Sequence, residues 1–366
     1  MRRVIFVDDE PNVLHALRRV LRRVAGDWTV SFVGSGSEAL AAIEREPFDV
    51  VVSDCMMPGM DGGELVERVR RLRPGVVRIL LTGNAPVATM MRAESVAHRL
   101  LAKPCPPERI HAAVESAVAA LESLPDPTLR ELVAGTPMLP TCEAIAARLA
   151  AATPAEDGPV DLEAVSAAVE VDPALEAKLL KLVHAGFFGG VEEPVAGPEA
   201  VRRLGSDTVG ILLRQGGAAD PSIPTALALA SEREHAVRAG TAAMRLAEHL
   251  GVAPPRVAVA GLAARLLGTG RLIASAGLRP RWAEDAARLG APGLGSIDAE
   301  RELLGVPACR IGAALLALWG LPPAVTAAIR GAADPEPGSL AEIVAIADQS
   351  VRDPGASGGA PSSVAA

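Results

Sequence analysis

Acidic residues, a threonine and a lysine follow short apolar runs in the first third of the chain. Asp8 and Asp9 follow the first such run, Asp54 the third, Thr82 the fourth and Lys103 the fifth. If these runs are parallel strands, their carboxyl ends meet at one edge of a sheet, where the side chains share a pocket. Three carboxylates brought together repel one another unless a cation lies among them, and hard oxygen ligands with room for water suit Mg²⁺. The pattern therefore predicts a metal-dependent phosphoryl site.

The residues of this predicted pocket have different chemical roles. An Asp carboxylate can attack a phosphoryl group in line and hold it as an acyl phosphate, and we assign that role to Asp54. Magnesium would neutralise charge on the phosphoryl oxygens, with Lys103 as a second cation and Thr82 as a hydrogen-bond donor. The predicted magnesium ligands are Asp8, Asp9, Asp54 and the Met56 backbone carbonyl.

Residues 3 to 122 alternate short β-branched runs with amphipathic segments of helix length. Strands separated by helices in this way predict a parallel sheet covered on both faces. The predicted strands are Val4 to Val7, Thr29 to Val33, Val50 to Ser53, Val77 to Leu81 and Arg99 to Ala102. The predicted helices are Val13 to Val24, Ser37 to Glu44, Gly63 to Leu72, about Pro86 to Ser95, and Pro106 to Leu121.

Four motifs surround the predicted pocket: VDDE at 7–10, SDCMMPGMDG at 53–62, LTGN at 81–84 and AKP at 102–104. Over about the first 120 residues these motifs resemble the receiver family of two-component response regulators. The resemblance implies a flavodoxin-like fold with strand order 2-1-3-4-5 and a cis bond before Pro104. It also implies that a sensor histidine kinase or a phosphotransfer protein phosphorylates Asp54. Leu100 stands at the switch position, where the family usually carries Tyr or Phe.

The second half of the chain predicts a separate helical domain. Two prolines flank an Asp within Leu124 to Thr128, which favours a linker there. After Leu139, Ala, Leu, Arg and Glu recur at helical period between Gly and Pro, which indicates an all-α domain. We expect a receiver domain at 1–122, a linker at 123–136, the all-α domain at 137–352 and a disordered tail at 353–366.

Four segments of this half carry a second resemblance: LPTCEAIAARL at 139–149, VDPALEAKLLKLVHAGFF at 171–188, PEAVRRLGSDTVGILL at 198–213 and IGAALLALWGLPPAVTAAI at 311–329. They resemble the HDOD family, an all-helical relative of the metal-dependent HD phosphohydrolases. The resemblance implies an output or scaffold module beside the receiver.

An active HD hydrolase holds its metals with several His residues and an adjacent His-Asp pair. The sequence contains no His-Asp dipeptide, and only His235 stands at a ligand-like position. Where the hydrolases carry ligands, this chain has Leu267, Gly268, Ala308, Ala332 and Ala333. We therefore predict no hydrolase catalytic residues. The alternative, a receiver-regulated HD-type phosphohydrolase that cleaves a cyclic dinucleotide, is disfavoured.

Charge and composition limit the partners. The chain has 36 Lys and Arg against 44 Asp and Glu, and the first 122 residues hold 16 of each kind, so the net charge of -8 belongs to the remainder. This charge disfavours nucleic acid. We see no signal peptide and no apolar stretch long and uncharged enough to span a bilayer, so we expect a cytoplasmic protein without membrane contact. Four widely spaced Cys fit a reducing compartment.

The sequence thus predicts a response regulator of a phosphorelay rather than an enzyme. Asp54 would accept a phosphoryl group, with Mg²⁺ as cofactor, and the HDOD-like domain would relay the state to a protein partner. The sequence does not identify the kinase or that partner. Both families tend to self-associate, which favours a homodimer.

Overall fold

A computed structural model of the chain describes residues 1–24, 26–83, 87–139, 143–153, 160–185, 195–215, 227–277 and 297–353. The chain forms two compact units. The first comprises Met1–Pro137, Lys181–Gly190 and Leu318–Gly320, and the second comprises Met138–Leu180, Val191–Ala317 and Leu321–Ala366. The predicted tail beyond Asp353 lies outside the described residues.

The first unit alternates strands and helices around one parallel sheet. Its strands are β1 (Arg2–Val7), β2 (Trp28–Val33), β3 (Val50–Asp54), β4 (Val77–Thr82) and β5 (Arg99–Ala102). Its helices are α1 (Pro11–Val24), α2 (Gly36–Arg45), α3 (Gly62–Leu72), α4 (Val87–Glu94), α5 (Pro107–Glu122) and α6 (Pro127–Gly135). The strand order is β2-β1-β3-β4-β5, which confirms the predicted flavodoxin-like fold.

The register of the sheet brings the functional residues to one edge. Asp54 pairs with Leu81, and Thr82 pairs with Ala102, the residue before Lys103. Every residue of β3 and β4 is buried, as expected for central strands covered by helices on both faces. The carboxyl ends of the strands therefore present their side chains to one shared pocket.

The start of α3 is held closely against the end of β3. Asp61 caps α3, and its side chain accepts a hydrogen bond from Glu64 N at 2.7 Å. Gly62 N donates to Cys55 O at 2.9 Å, and a Cβ at Gly62 would lie only 2.1 Å from Asp54 O. Only glycine allows this backbone approach, which sets the path of the loop after Asp54.

The segment predicted as a linker, 123–136, contains α6. Asp126 caps this helix by accepting from Thr128 N at 2.7 Å, and Pro127 occupies its first turn. Leu129 and Val133 are at most 3% exposed. The apolar face of α6 is therefore buried in the first unit, while the domain limits themselves stay predictions.

The first unit also includes a buried ammonium group near the end of α4. Lys181 Nζ donates to the backbone oxygens of Glu94, at 2.9 Å, and Ala97, at 2.7 Å. It lies 3.0 Å from Glu94 Oε1 and 5.1 Å from the centre of the Trp319 ring. These contacts hold the turn between α4 and β5.

In the described residues beyond Met138, all regular secondary structure is helical, which confirms the predicted all-α half. Its helices are α7 (Glu143–Ala152), α8 (Leu162–Glu170), α9 (Pro173–His184), α10 (Gly197–Gln215), α11 (Leu227–His249), α12 (Pro254–Leu266), α13 (Thr269–Gly277), α14 (Ile297–Leu304), α15 (Ala308–Leu318), α16 (Pro323–Gly331) and α17 (Leu340–Arg352). Gly205, with φ of 74°, interrupts α10. A Cβ at Gly270 would lie 1.7 Å from Ala308 O, so the backbones of α13 and α15 nearly touch.

One stretch of the described residues, Pro254–Ala274, is long and apolar enough for a membrane span by length and composition only, with 21 residues at a mean hydropathy of 1.5. This single stretch does not establish a span. Moreover, 83% of this stretch is buried inside the protein. Its apolar character is thus accounted for by packing in the helical core.

Candidate phosphoryl-acceptor site

Asp8, Asp54 and Lys103 form an ion-paired cluster at the carboxyl edge of the sheet. Lys103 Nζ lies 2.5 Å from Asp54 Oδ1 and 3.0 Å from Asp8 Oδ2. Asp8 is 2% exposed and Asp54 is 8% exposed. Burial opposes the charged form of Lys103, but the hydrogen bonds and charges of Asp54 and Asp8 outweigh it and raise the pKa of the ammonium. The cluster therefore contains two nearly buried carboxylates around the Lys103 ammonium, which stays protonated.

Backbone amides orient both carboxylates toward this cation. Asp54 Oδ2 accepts from Met56 N at 2.7 Å, and Asp8 Oδ1 accepts from Glu10 N at 2.9 Å. In each case the donor lies two residues further along the chain, as in Asx turns. The second oxygen of each carboxylate is left facing Lys103.

The thiol of Cys55 lies next to the Asp54 carboxylate in sequence. Burial, reinforced by the negative charge of Asp54, raises the pKa of Cys55 to about 11. The thiol is therefore protonated at neutral pH and is a poor nucleophile. The sequence analysis predicted neither the neutral Cys55 thiol beside Asp54 nor the requirement for glycine at position 62. The glycine at the start of a helix was a signal that two backbone segments approach closely there.

Thr82 supplies a buried hydroxyl group beside the cluster. Its side chain is completely buried, and the only group of the described residues that interacts with its hydroxyl is the thiol of Cys55. Lys103 N donates to Thr82 O at 2.7 Å, which holds the two residues together. A thiol is a weak hydrogen-bond partner, so this hydroxyl can still donate to an incoming anion.

The other predicted site residues lie around this cluster in different ways. Asp9 is exposed, and the side chain of Met56 is 50% exposed while its amide orients Asp54. Leu100 is 4% exposed and pairs with Leu80 across β4 and β5. The Lys103–Pro104 peptide bond is cis.

The donor chemistry of the cluster suits magnesium, although a three-carboxylate site is not assembled. Among the described residues, no three His, Cys, Asp or Glu side chains lie close enough together to hold a metal ion. Asp8 Oδ2 and Asp54 Oδ1 already share one cation, the ammonium of Lys103. Mg²⁺ is commonly held by one or two carboxylates together with water and phosphate oxygens. Two such carboxylates are in place, and the exposed Asp9 follows in the sequence.

In the second unit, a charge network lies near the positions that were predicted to replace the metal ligands of HD hydrolases. Arg271 Nε lies 2.6 Å from Glu300 Oε1, and His235 Nε2 lies 2.6 Å from Asp348 Oδ1. Burial favours the neutral acid of Asp348, but the His235 hydrogen bond and the charges of Arg352 and Arg271 lower its pKa to about 2. Arg271 is nine-tenths buried and remains a cation, since nearby carboxylates raise its pKa against the effect of burial.

A cavity of about 360 Å³ lies beside this network. Its lining includes Leu267, Arg271, Glu300, Ala332, Ala333 and Asp348. Three of the positions predicted to replace metal ligands thus face the same space. The guanidinium groups of Arg271 and Arg352 both lie in its wall.

Comparison with known proteins agrees with both halves of this description. A five-stranded sheet with an acidic pocket at its carboxyl edge is the architecture of a receiver, and the response regulator receiver domain model matches residues 4–115. The HDOD domain model matches residues 139–335, more than half of the chain. The chain therefore belongs to the HDOD family and carries a receiver domain ahead of its HDOD domain.

Individual relatives match mainly the receiver. The transcriptional regulatory protein GlrR of Escherichia coli (strain K12) is 31% identical over 132 residues, which are 36% of this chain and 29% of GlrR. The signal receiver domain of an HD domain-containing protein from Pseudomonas fluorescens Pf-5 is 27% identical, with a TM-score of 0.31, and covers 32% of this chain and 94% of that one. The MmoQ response regulator from Methylococcus capsulatus is 24% identical, with a TM-score of 0.47, over 59% of this chain and 86% of that one. The match spans less than a third of the length of GlrR.

The receiver domain supports a two-component response regulator and implies a histidine kinase or phosphotransfer protein as its partner. The HDOD domain is the second component of the chain.

Proposed function

We propose that Asp54 accepts a phosphoryl group from a sensor histidine kinase or a phosphotransfer protein, and that the HDOD-like domain passes the resulting state to a protein partner. The observation that carries the proposal is the shared cation: Lys103 lies within 3.0 Å of both Asp8 and Asp54. A nearly buried carboxylate beside a fixed cation and a buried hydroxyl with only a weak thiol partner suits in-line phosphoryl transfer.

The chain's own groups divide the work of the transfer. A carboxylate oxygen of Asp54 forms the new bond to phosphorus as the phosphorus–nitrogen bond to the donor imidazole breaks, and the imidazole keeps the electron pair and takes up a proton. Lys103 binds a phosphoryl oxygen, and Thr82 donates a hydrogen bond to another. Mg²⁺, when bound, supplies the charge neutralisation that two carboxylates and an incoming phosphoryl group need. Its proposed ligands are Asp8, Asp9, Asp54 and the Met56 carbonyl.

Labelling with a small phosphoryl donor tests this assignment. The full chain should take up phosphate from acetyl phosphate in a magnesium-dependent reaction, and Asp54→Asn should abolish the uptake. Asp27→Asn is the matched control, because Asp27 is an exposed acid of the same unit. If the Asp54→Asn protein is labelled as fully as the parent, or if excess chelator leaves the labelling unchanged, the assignment fails.

The relay step is proposed to be a population shift rather than a complete switch. Thr82 can move toward the phosphoryl oxygens, and β5 with Leu100 follows because the two strands pair along Ile79 to Thr82. Leu100 is a buried aliphatic side chain, so it reports this movement by packing alone. We expect a coupling of about 1 kcal/mol, equivalent to roughly a fivefold change in population.

The second half is proposed to work without catalysis. A metal-dependent phosphohydrolase would need a metal where Arg271 already supplies the positive charge beside Glu300. Elemental analysis of the full chain, together with an assay on bis-(p-nitrophenyl) phosphate, tests this. One equivalent of iron, manganese or zinc, with hydrolysis lost in His235→Ala, would establish the enzyme instead.

The remaining proposals concern the setting of the protein. The acidic second half disfavours nucleic acid as a partner. We propose a cytoplasmic location, no membrane contact and a homodimer, for which light scattering on the phosphorylated and unphosphorylated chain is the direct measurement.

A further inference from the structure

Arg78, near the start of β4, is a completely buried cation that binds backbone carbonyls. Its guanidinium donates to Val96 O at 3.0 Å, Val76 O at 3.1 Å and Pro74 O at 3.2 Å. Burial, and secondarily the charge of Arg70, lowers the pKa of Arg78 to about 9, so the group remains charged at neutral pH. Among the described residues no carboxylate accepts a hydrogen bond from it. A buried cation without a hydrogen-bonded anion is costly, which indicates a specific role.

His98, immediately before β5, lies against Arg78 at both ring nitrogens, and its Nε2 is 2.9 Å from Arg78 Nη2. Its Nδ1 accepts from Arg78 N at 3.0 Å, so the ring proton lies on Nε2. That Nε2 donates to Ala134 O at 2.8 Å. The Arg78 guanidinium donates to the same oxygen at 2.9 Å. Two donors, one on β4 and one immediately before β5, therefore converge on a single carbonyl.

That carbonyl lies at the end of helix α6. The last carbonyls of a helix lack internal partners and carry the negative end of its dipole, so a cation there is favourable. Ala134 is completely buried. The chain passes from the first unit to the second after Pro137, three residues further on. The Arg78–His98 pair thus holds the last turn of the segment that leads to the HDOD domain.

The same two strands end at the phosphoryl pocket. Thr82 is four residues after Arg78 on β4, a distance of about 13 Å along a strand. Lys103 follows β5, which starts next to His98. The strands pair from Ile79 with Arg99 to Thr82 with Ala102. A displacement of Thr82 and Lys103 toward a phosphoryl group therefore acts on the strands whose other ends hold α6.

We propose that Arg78 and His98 are positioning residues that transmit the phosphorylated state of Asp54 to the end of α6, through their shared hydrogen bonds to Ala134 O. The inference rests on the proposed function, because it needs Asp54 to be the acceptor. It adds a route at the amino-terminal edge of the sheet, opposite the pocket.

Hydrogen exchange on the full chain, with and without beryllofluoride and Mg²⁺, tests the route. In the parent protein, beryllofluoride should protect the amides of residues 8–10 and 54–57 and change exchange in residues 127–135 by about fivefold, the population change expected of the relay. Arg78→Met and His98→Leu should keep the protection of the pocket loops. They should reduce the exchange change in residues 127–135 below about twofold. Arg78→Lys preserves the charge, so it should retain part of the response of residues 127–135 that Arg78→Met loses.

Arg130→Met is the matched control. Arg130 also lies on α6 and donates to a backbone carbonyl, that of Leu124 at 2.7 Å, but it makes no contact with Ala134 O. It should leave both responses intact. His98→Leu removes a neutral side chain and leaves the Arg78 charge in place. This variant therefore still tests the route if Arg78→Met does not fold.

Two results would overturn the inference while leaving the proposed function intact. One is a full response of residues 127–135 in both Arg78→Met and His98→Leu. The other is a parent protein whose pocket loops respond while α6 does not. If the pocket loops of the parent do not respond at all, the proposed function fails, and the route fails with it.

Discussion

Protonation of His98 should destabilise the first unit as the pH falls. His98 is completely buried, and its Nδ1 can accept the hydrogen bond from Arg78 N only in the neutral ring. Burial, and then the charge of Arg78, holds the pKa of His98 well below its ordinary value of 6.5. The charges of Lys181 and Arg99 act in the same direction, and the hydrogen bond to Ala134 only partly opposes them.

The sign and size of the effect follow from proton linkage. Below about pH 6.5 the unfolded chain binds a proton at this histidine that the folded chain does not, so the free energy of unfolding falls on acidification. The loss approaches about 1.4 kcal/mol per pH unit until the folded pKa is reached. The histidine of the unfolded chain begins to take up its proton at about pH 7.5. From there to about pH 5.5, the total loss in the free energy of unfolding is also about 1.4 kcal/mol.

The measurement is urea unfolding monitored by tryptophan fluorescence, to which Trp28 of the first unit contributes, compared between the parent and His98→Gln. Glutamine can accept and donate at this site without titrating, so the variant should lack this part of the pH dependence. His15→Gln is the control, because His15 is an exposed residue of α1. If the parent and His98→Gln lose stability in parallel between these pH values, or if the parent gains stability on acidification relative to the variant, the reasoning is refuted.

Two further predictions concern glycines at close backbone approaches. Gly62→Ala places a Cβ 2.1 Å from Asp54 O, so it should lower the stability of the first unit by roughly 1–3 kcal/mol and slow acyl-phosphate labelling. Gly34→Ala, where nothing lies within 4 Å, should show neither change in the same assays. Gly270→Ala places a Cβ 1.7 Å from Ala308 O and should lower the urea midpoint of the helical half, while Asp54 labelling continues. An unchanged midpoint would show that α13 and α15 can separate at no cost.

The first unit was predictable because its signals are local. Strand positions followed from runs of β-branched residues, and the structure places β5 at Arg99–Ala102 as predicted and extends β4 by one residue to Thr82. Parallel strands joined by helices bring their carboxyl ends together, so Asp8, Asp54 and Lys103 were expected in one pocket. Their contact through Lys103 is a consequence of that topology.

The helical half was predictable only in class. Helical period identifies helices, but it does not say which helices meet, and Arg271 with Glu300 joins residues that are 29 positions apart. The apolar stretch Pro254–Ala274 shows the same limit, since length and composition alone allow a membrane span and only packing accounts for it.

The sequence by itself determined the order of the elements, the pocket of Asp8, Asp54 and Lys103, and the absence of a His-Asp pair, because each depends on residue types at short spacing. Only the tertiary structure decided that the predicted linker holds a packed helix, and that Arg78 and His98 meet at Ala134 O. Arg78 and Ala134 are 56 positions apart, and no local pattern connects them. A buried cation is tolerated only where folding delivers enough acceptors to it, and three-dimensional packing alone brings those carbonyls to one place.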